Sequence, residues 1–197
     1  MDKDGTKQVI LAEAIKQFLT HGIKNVKMDD IAQALHISKR TVYELFPNKE
    51  ELLYTALSKF IDDEDKKRAE MVAECNGDIL KILYHTFRVQ TDTLPLINPL
   101  FYEDIAFYPR VKAYLNKHHK DERKGVMRFF REGVKQGVFR KDVDYKLFLD
   151  VVEMNKRAFM KEKFYLRYPM IDFFRSFTLV QFRGLLTDEA RSQIKHI

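Results

Sequence analysis

Apolar residues in this chain recur every three to four positions, and nowhere does a two-residue alternation persist. Ile10, Leu11, Ala14, Ile15 and Phe18 set the pattern, and segment after segment repeats it. A 3.6-residue period lines such side chains along one helix face, whereas a half-buried strand needs a period of two. The chain therefore reads as all-α. Among 197 residues only 7 are Gly and 5 are Pro, so helix breakers are few, and 45% apolar residues are enough to fill a core.

Start and stop signals cut the pattern into about nine to ten helices. The first is expected over residues 7–20, with Gly22 as its stop. A short second helix spans 28–35, with Asp29 and Asp30 in its first turn, where the helix dipole favours anions. After a turn at His36-Ile37, Ser38 is a good N-cap for a third helix over 39–45. Pro47 ends that helix, and Asn48 with Glu51 forms a capping box for a fourth, which runs toward Asn76-Gly77. Beyond residue 78 helices are expected at 79–93, 100–107, 110–136, 144–165 and 169–185, with a short tail capped by Thr187.

The formal net charge is +6, but residues 1–60 hold nine cations against eight carboxylates. Net charge thus locates no nucleic-acid surface, and individual cations must do so. Cys75 is the single cysteine, which excludes an internal disulfide and fits a half-buried helix position in a reducing compartment. The N-terminus lacks the apolar stretch of a signal peptide. No apolar run approaches the ~20 residues of a membrane span. A cytoplasmic protein is expected.

The two short helices at 28–45, joined by a tight turn, fit a helix-turn-helix. The second helix of that motif enters the major groove, and only its first turns need fit there. Val42, Leu45 and Phe46 would anchor it from behind. Lys39 and Arg40 would meet guanine edges or phosphates, and Ser38, Thr41 and Tyr43 would donate to phosphate oxygens. Lys49, at the start of the fourth helix, suits a further phosphate.

Residues 10–53, with Ile10, Leu11, Ala14, Phe18, Gly22, Ile31-Ala32, Ser38, Thr41, Tyr43, Phe46 and Lys49-Glu50-Glu51-Leu52, resemble the N-terminal domain of TetR-family transcriptional regulators. The resemblance implies a three-helix DNA-binding head over 1–48 and a helical C-terminal domain over 49–197 that dimerises and binds an effector, with a linking helix at about 49–75. DNA contacts carried over by position are Lys27, Met28, Ser38, Lys39, Arg40, Thr41, Tyr43, Glu44 and Lys49. Three positions depart from the family pattern. Lys27 stands where a capping hydroxyl is usual, His36 where the turn glycine is usual, and Glu44 where histidine is common. A carboxylate in the groove either accepts from cytosine N4 or repels phosphate.

The C-terminal part carries no nucleophile elbow, phosphate loop or metal-spaced cluster, so neither an enzyme nor a cofactor is expected. His118 and His119 are adjacent and read as a solvated pair near Asp121 and Glu122; His85 reads as a packed or rim histidine. Apolar side chains of the last long helix cover an arc of roughly 200°, about twice what one core contact needs. The surplus implies a second partner. With the family's four-helix dimer bundle in mind, the candidates are Phe174, Phe177, Val180 and Gln181, joined by Phe148, Val152 and Asn155 of the preceding helix. A mostly apolar effector would be lined by Phe87, Phe101, Tyr102, Phe107, Met127 and Phe130, residues whose helical spacing equally fits a plain core. The expected function is that of a homodimer on a near-palindromic DNA operator, most simply a repressor released by an unknown small molecule. The alternative is a ligand-independent DNA-organising protein of the same fold.

Overall fold

The computed structural model of the protein describes residues 3–193. The helices are α1 (Lys3–His21), α2 (Met28–Ala34), α3 (Lys39–Leu45), α4 (Lys49–Glu74), α5 (Ile79–Thr93), α6 (Pro99–Asp104), α7 (Pro109–Lys135) and α8 (Tyr145–Lys161). A ninth, α9, runs over 170–185 and includes a π-helical turn at Phe174–Thr178; α10 is Asp188–Gln193. Short 3₁₀ turns follow α5, α6 and α8. Among the described residues there is no strand, only an isolated bridge between Phe139 and Leu186. The all-α expectation holds.

Local chemistry explains the boundaries. Ser38, Asp78, Asn98 and Asp144 each accept a backbone N–H of the first turn of α3, α5, α6 and α8. Gly137 ends α7 at φ 72°, and its neighbour Val138 returns a hydrogen bond to the Gly133 carbonyl at 2.8 Å. Gly133 is where a side chain is least tolerable, because a Cβ there would lie 2.2 Å from the Phe139 ring.

Packing does not divide the chain at residue 48. One compact unit joins Met1–Arg68 with Leu96–Asn116; the other joins Ala69–Pro95 with Lys117–Ile197. The core of the first unit is built from Ile10, Leu11, Ala14 and Phe18 of α1, Ile31 and Ala32 of α2, Val42 and Phe46, and Leu52, Leu53 and Ala56 of α4. Phe101 and Val111, from the segment that returns to this unit, complete it. The second unit centres on fully buried Phe130. Tyr145 stacks on it at 4.5 Å, and Phe139, Phe148 and Phe182 surround it.

Two sets of sequence expectations change here. Phe101, Tyr102 and Phe107 belong to the first unit, while Phe87, Met127 and Phe130 belong to the second. Phe101 and Phe130 are core side chains, not a pocket wall, Phe87 is buried in the core of its own unit, and Phe107 is 64% exposed. Aromatic residues at helical spacing here fill cores, which periodicity alone does not separate from pocket lining. The proposed interface set shifts as well. Phe174 is buried in its own unit against Phe87, and Phe148 packs on Phe130 and Phe182. Val152, Asn155, Phe177 and Gln181 are half-buried, and Val180 is 57% exposed.

Candidate nucleic-acid interface

The recognition element is assembled from the turn outward. Ile37 N–H donates to the Ala32 carbonyl at 3.0 Å and His36 N–H to the Gln33 carbonyl at 3.1 Å, the paired bonds of a Schellman stop. That stop needs a left-handed residue, and His36 supplies it at φ 54°. Ser38 then caps α3: its Oγ accepts from Thr41 N–H at 3.1 Å and shares a 2.8 Å hydrogen bond with Thr41 Oγ1. Val42 and Phe46 are buried behind α3, while Ser38, Lys39, Arg40, Tyr43 and Glu44 are exposed on it. Thr41 is half-buried and its hydroxyl is engaged with Ser38.

At the start of α2, Asp30 Oδ2 accepts from Lys27 N–H at 2.7 Å, which is half of a capping box. The other half is missing, since a lysine ammonium has no acceptor. The Lys27 side chain is left exposed beside the motif. Met28 is a correction: its side chain is buried in the first unit's core and has nothing to offer a groove. Lys49 is half-buried, and its ammonium donates to the Lys24 carbonyl at 3.4 Å. Burial lowers the Lys49 pKa, and Asp104 and Asp30 partly offset that.

Both cations at the tip of α3 are paired. Lys39 Nζ meets Asp29 Oδ2 across the turn, and this hydrogen bond, more than the bare charge, raises the lysine's pKa. Arg40 Nε donates to Glu44 Oε1 at 2.7 Å. Both pairs are exposed, so each is weak in water, and the Lys39 ammonium can exchange Asp29 for a phosphate. The arrangement is a short capped helix offering lysine, arginine, tyrosine and hydroxyls to a polyanionic groove.

Sequence reasoning missed what holds this surface from the other side. Asp104 is a buried carboxylate whose Oδ2 accepts from Lys24 N–H at 2.7 Å, in the loop between α1 and α2. Asn98 N–H donates to the Leu19 carbonyl at 2.7 Å at the end of α1. Gly22, at φ 83°, lets Leu100 approach: a Cβ would sit 2.9 Å from Leu100 Cβ. Lys24 Nζ lies 3.0 Å from the centroid of the Phe107 ring. Arg110 pairs with Glu51 and stacks over Tyr54 at 3.8 Å. Nothing in the periodicity of "FYEDIAFYPR" announces a partner some eighty residues away.

In the second unit, His118, His119 and Glu122 bring ligand-type atoms within 4.8 Å of one another. Both histidines already contact the Glu122 carboxylate. A shallow groove of about 560 Å³ is lined by residues that include Asp78, Lys81, Tyr84, Gln136 and Glu189. A separate void of about 30 Å³ lies among Leu83, Phe87, Leu179 and Phe182, with Arg183 and Arg191 at its edge. Of the expected pocket residues, only Phe87 lines either space. No described helix is long and apolar enough to cross a membrane.

Residues 10–55 match the family model for bacterial regulatory proteins of the tetR family. The chain is 27% identical over 149 residues to the HTH-type transcriptional repressor KstR2 of Rhodococcus jostii (strain RHA1), which covers 74% of this chain and 73% of that protein. It is 38% identical over 71 residues to the HTH-type transcriptional regulator YhgD of Bacillus subtilis (strain 168), about a third of each. Among solved structures, a TetR-family transcriptional regulator from Agrobacterium tumefaciens superposes with a TM-score of 0.77 at 15% identity, over 94% of this chain and 100% of that one. The ketosteroid transcriptional regulator KstR2 of Mycobacterium tuberculosis gives 0.62 at 20% identity, over 93% and 96%. At these identities the two structures establish a shared fold.

Proposed function

This chain is a TetR-family transcriptional regulator, and from that premise we propose that it is a cytoplasmic, homodimeric repressor that binds a near-palindromic operator through α3. The observation that carries the reading is the exposed tip of α3: Lys39, Arg40 and Tyr43 stand outward on a helix pinned by buried Val42 and Phe46. Lys27, Ser38 and Lys49 flank it as phosphate contacts, and Thr41 supports Ser38. Repression is supported by the name of the 27% identical KstR2 relative. Dimerisation is supported by the second unit's uncovered apolar side chains, Leu147, Met154 and Val180. A two-fold dimer would present two α3 helices to half-sites about one helical turn apart.

Effector control is the finer part of the proposal. A mostly apolar small molecule that favours one head spacing would lower operator affinity by population shift. The void beside Phe87 and Phe182 supports an apolar binding region, but about 30 Å³ holds roughly one water. A ligand there must open it. That same small volume favours the second reading, a DNA-organising protein without an effector. Ligand screening by thermal shift separates the two: a stabilising apolar compound that also releases operator supports the first.

The DNA reading is tested by selecting duplexes from a random pool with the full-length protein. The expected result is a symmetric motif. Arg40→Ala should weaken the selected site by about tenfold or more, beyond its effect on random DNA. Equal losses on both would demote Arg40 to a phosphate contact.

A further inference from the structure

We propose that Glu44 is a positioning residue that aims Arg40 at a guanine in each operator half-site. The inference rests on the reading of α3 as the recognition helix, and it assigns a task to a carboxylate that would otherwise oppose DNA.

Arg40 and Glu44 lie one turn apart on α3, and Arg40 Nε donates to Glu44 Oε1 at 2.7 Å. Their side chains are 87% and 60% exposed, so the pair stands in the open where a groove would meet it. A guanidinium carries its five N–H groups in one rigid plane. Holding it by Nε leaves both terminal nitrogens without a partner among the described residues. Those two nitrogens form the fork that matches guanine O6 and N7.

Even a weak tether narrows the rotamers that a free arginine would lose on binding, so part of the ordering cost is met before DNA arrives. Lys39 is the contrast. Its partner, Asp29, belongs to α2, and its ammonium is a point charge that cannot present a planar fork. Of the two cations at the tip, Arg40 is therefore the base reader and Lys39 the phosphate contact. A carboxylate facing a polyanion repels phosphate at every sequence alike. Glu44 thus lowers binding to random DNA while sharpening choice at one base pair, and both effects raise the specificity ratio.

Full-length protein, a selected operator and a random duplex make the test. Wild type should require one guanine per half-site, and 7-deazaguanine at that position, which removes N7, should weaken binding about tenfold. Glu44→Ala should lose most of that discrimination while binding random DNA at least as well. Glu44→Gln should keep most of it, because its amide oxygen still accepts from Nε; a merely repulsive charge predicts no such rescue. If Glu44→Ala binds all DNA more tightly with the guanine preference intact, Glu44 only repels phosphate and the proposal is wrong. If discrimination at the paired cytosine is lost while sensitivity to 7-deazaguanine stays, Glu44 reads cytosine itself and the proposal again fails. A wild-type protein that selects no sequence overturns the DNA-binding reading as well, which sets that failure apart from the other two.

Discussion

His36 shows how a single residue carries both a legible signal and a hidden cost. From sequence, the turn between α2 and α3 calls for a left-handed residue, and histidine stands there instead of glycine. The structure places it at φ 54°, completing the Schellman bonds of Ile37 and His36. A left-handed conformation costs a non-glycine residue about 1–2 kcal/mol, and glycine returns roughly 0.5–1 kcal/mol of that through unfolded-state entropy. His36→Gly should therefore stabilise the protein by about 1 kcal/mol or less, seen in calorimetry as a Tm rise of at most about 2–4 °C. His36→Val should destabilise it, since a β-branched side chain resists that conformation. A His36→Gly variant that melts lower would mean the imidazole contributes something beyond turn geometry. Residue chemistry of this kind was readable because turn, cap and stop signals are local. Ser38 caps the helix whose start its side chain marks, and Asn48 accepts the Glu51 N–H at the start of α4. Met28 was misread because a residue carried over by position brings no information about which way its side chain turns.

Elements were legible where a uniform 100° rotation per residue holds, and failed where it does not. The third and fifth helices lie over the expected residues, and the others shift by a few positions at their ends. In α9 the π turn at Phe174–Thr178 adds residues to a turn, so the helical wheel before it no longer predicts the face after it. Phe174, at the start of that turn, is buried, whereas Val180, beyond it, is left outside. The other illegible element is α6, whose role depends on contacts distant in sequence. Asp104 on α6 is buried, and its carboxylate satisfies the backbone N–H of Lys24 in the α1–α2 loop. Leaving a buried donor without its acceptor costs about 1–3 kcal/mol, and this part-buried bond should fall at or below the low end. Asp104→Ala should lower the urea midpoint accordingly, and Asp104→Asn, which keeps an acceptor oxygen, should lower it less. Equal midpoints for wild type and Asp104→Ala would show that water replaces the carboxylate and that α6 is not held to the head by this bond.

For the whole molecule, the question is what covers the second unit's exposed apolar side chains. Leu147 and Met154 are each 60% exposed and stand seven residues apart on α8, which puts them on one face. Val180 on α9 is 57% exposed, and next to it the buried Gln181 Oε1 has no hydrogen-bond partner within the described residues. The two helices run antiparallel: Phe148 meets Phe182 at 5.2 Å and Phe159 meets Phe173 at 4.4 Å. Exposed apolar side chains on these two packed helices are what a second copy would cover. A single chain's sequence revealed the surplus of apolar arc on the last helix, but the residues that meet across a two-fold are set by a register the chain alone does not encode. We expect Val180→Asp and Leu147→Asp to give folded monomers, because both side chains lie outside their own core. Sedimentation would show a halved mass with an unchanged helical circular dichroism spectrum. Monomers should also lose about a hundredfold or more in operator affinity, since each half-site would then be held without its neighbour. If both variants remain dimers, the subunits meet through another surface and the exposed stripe on α8 needs a different occupant.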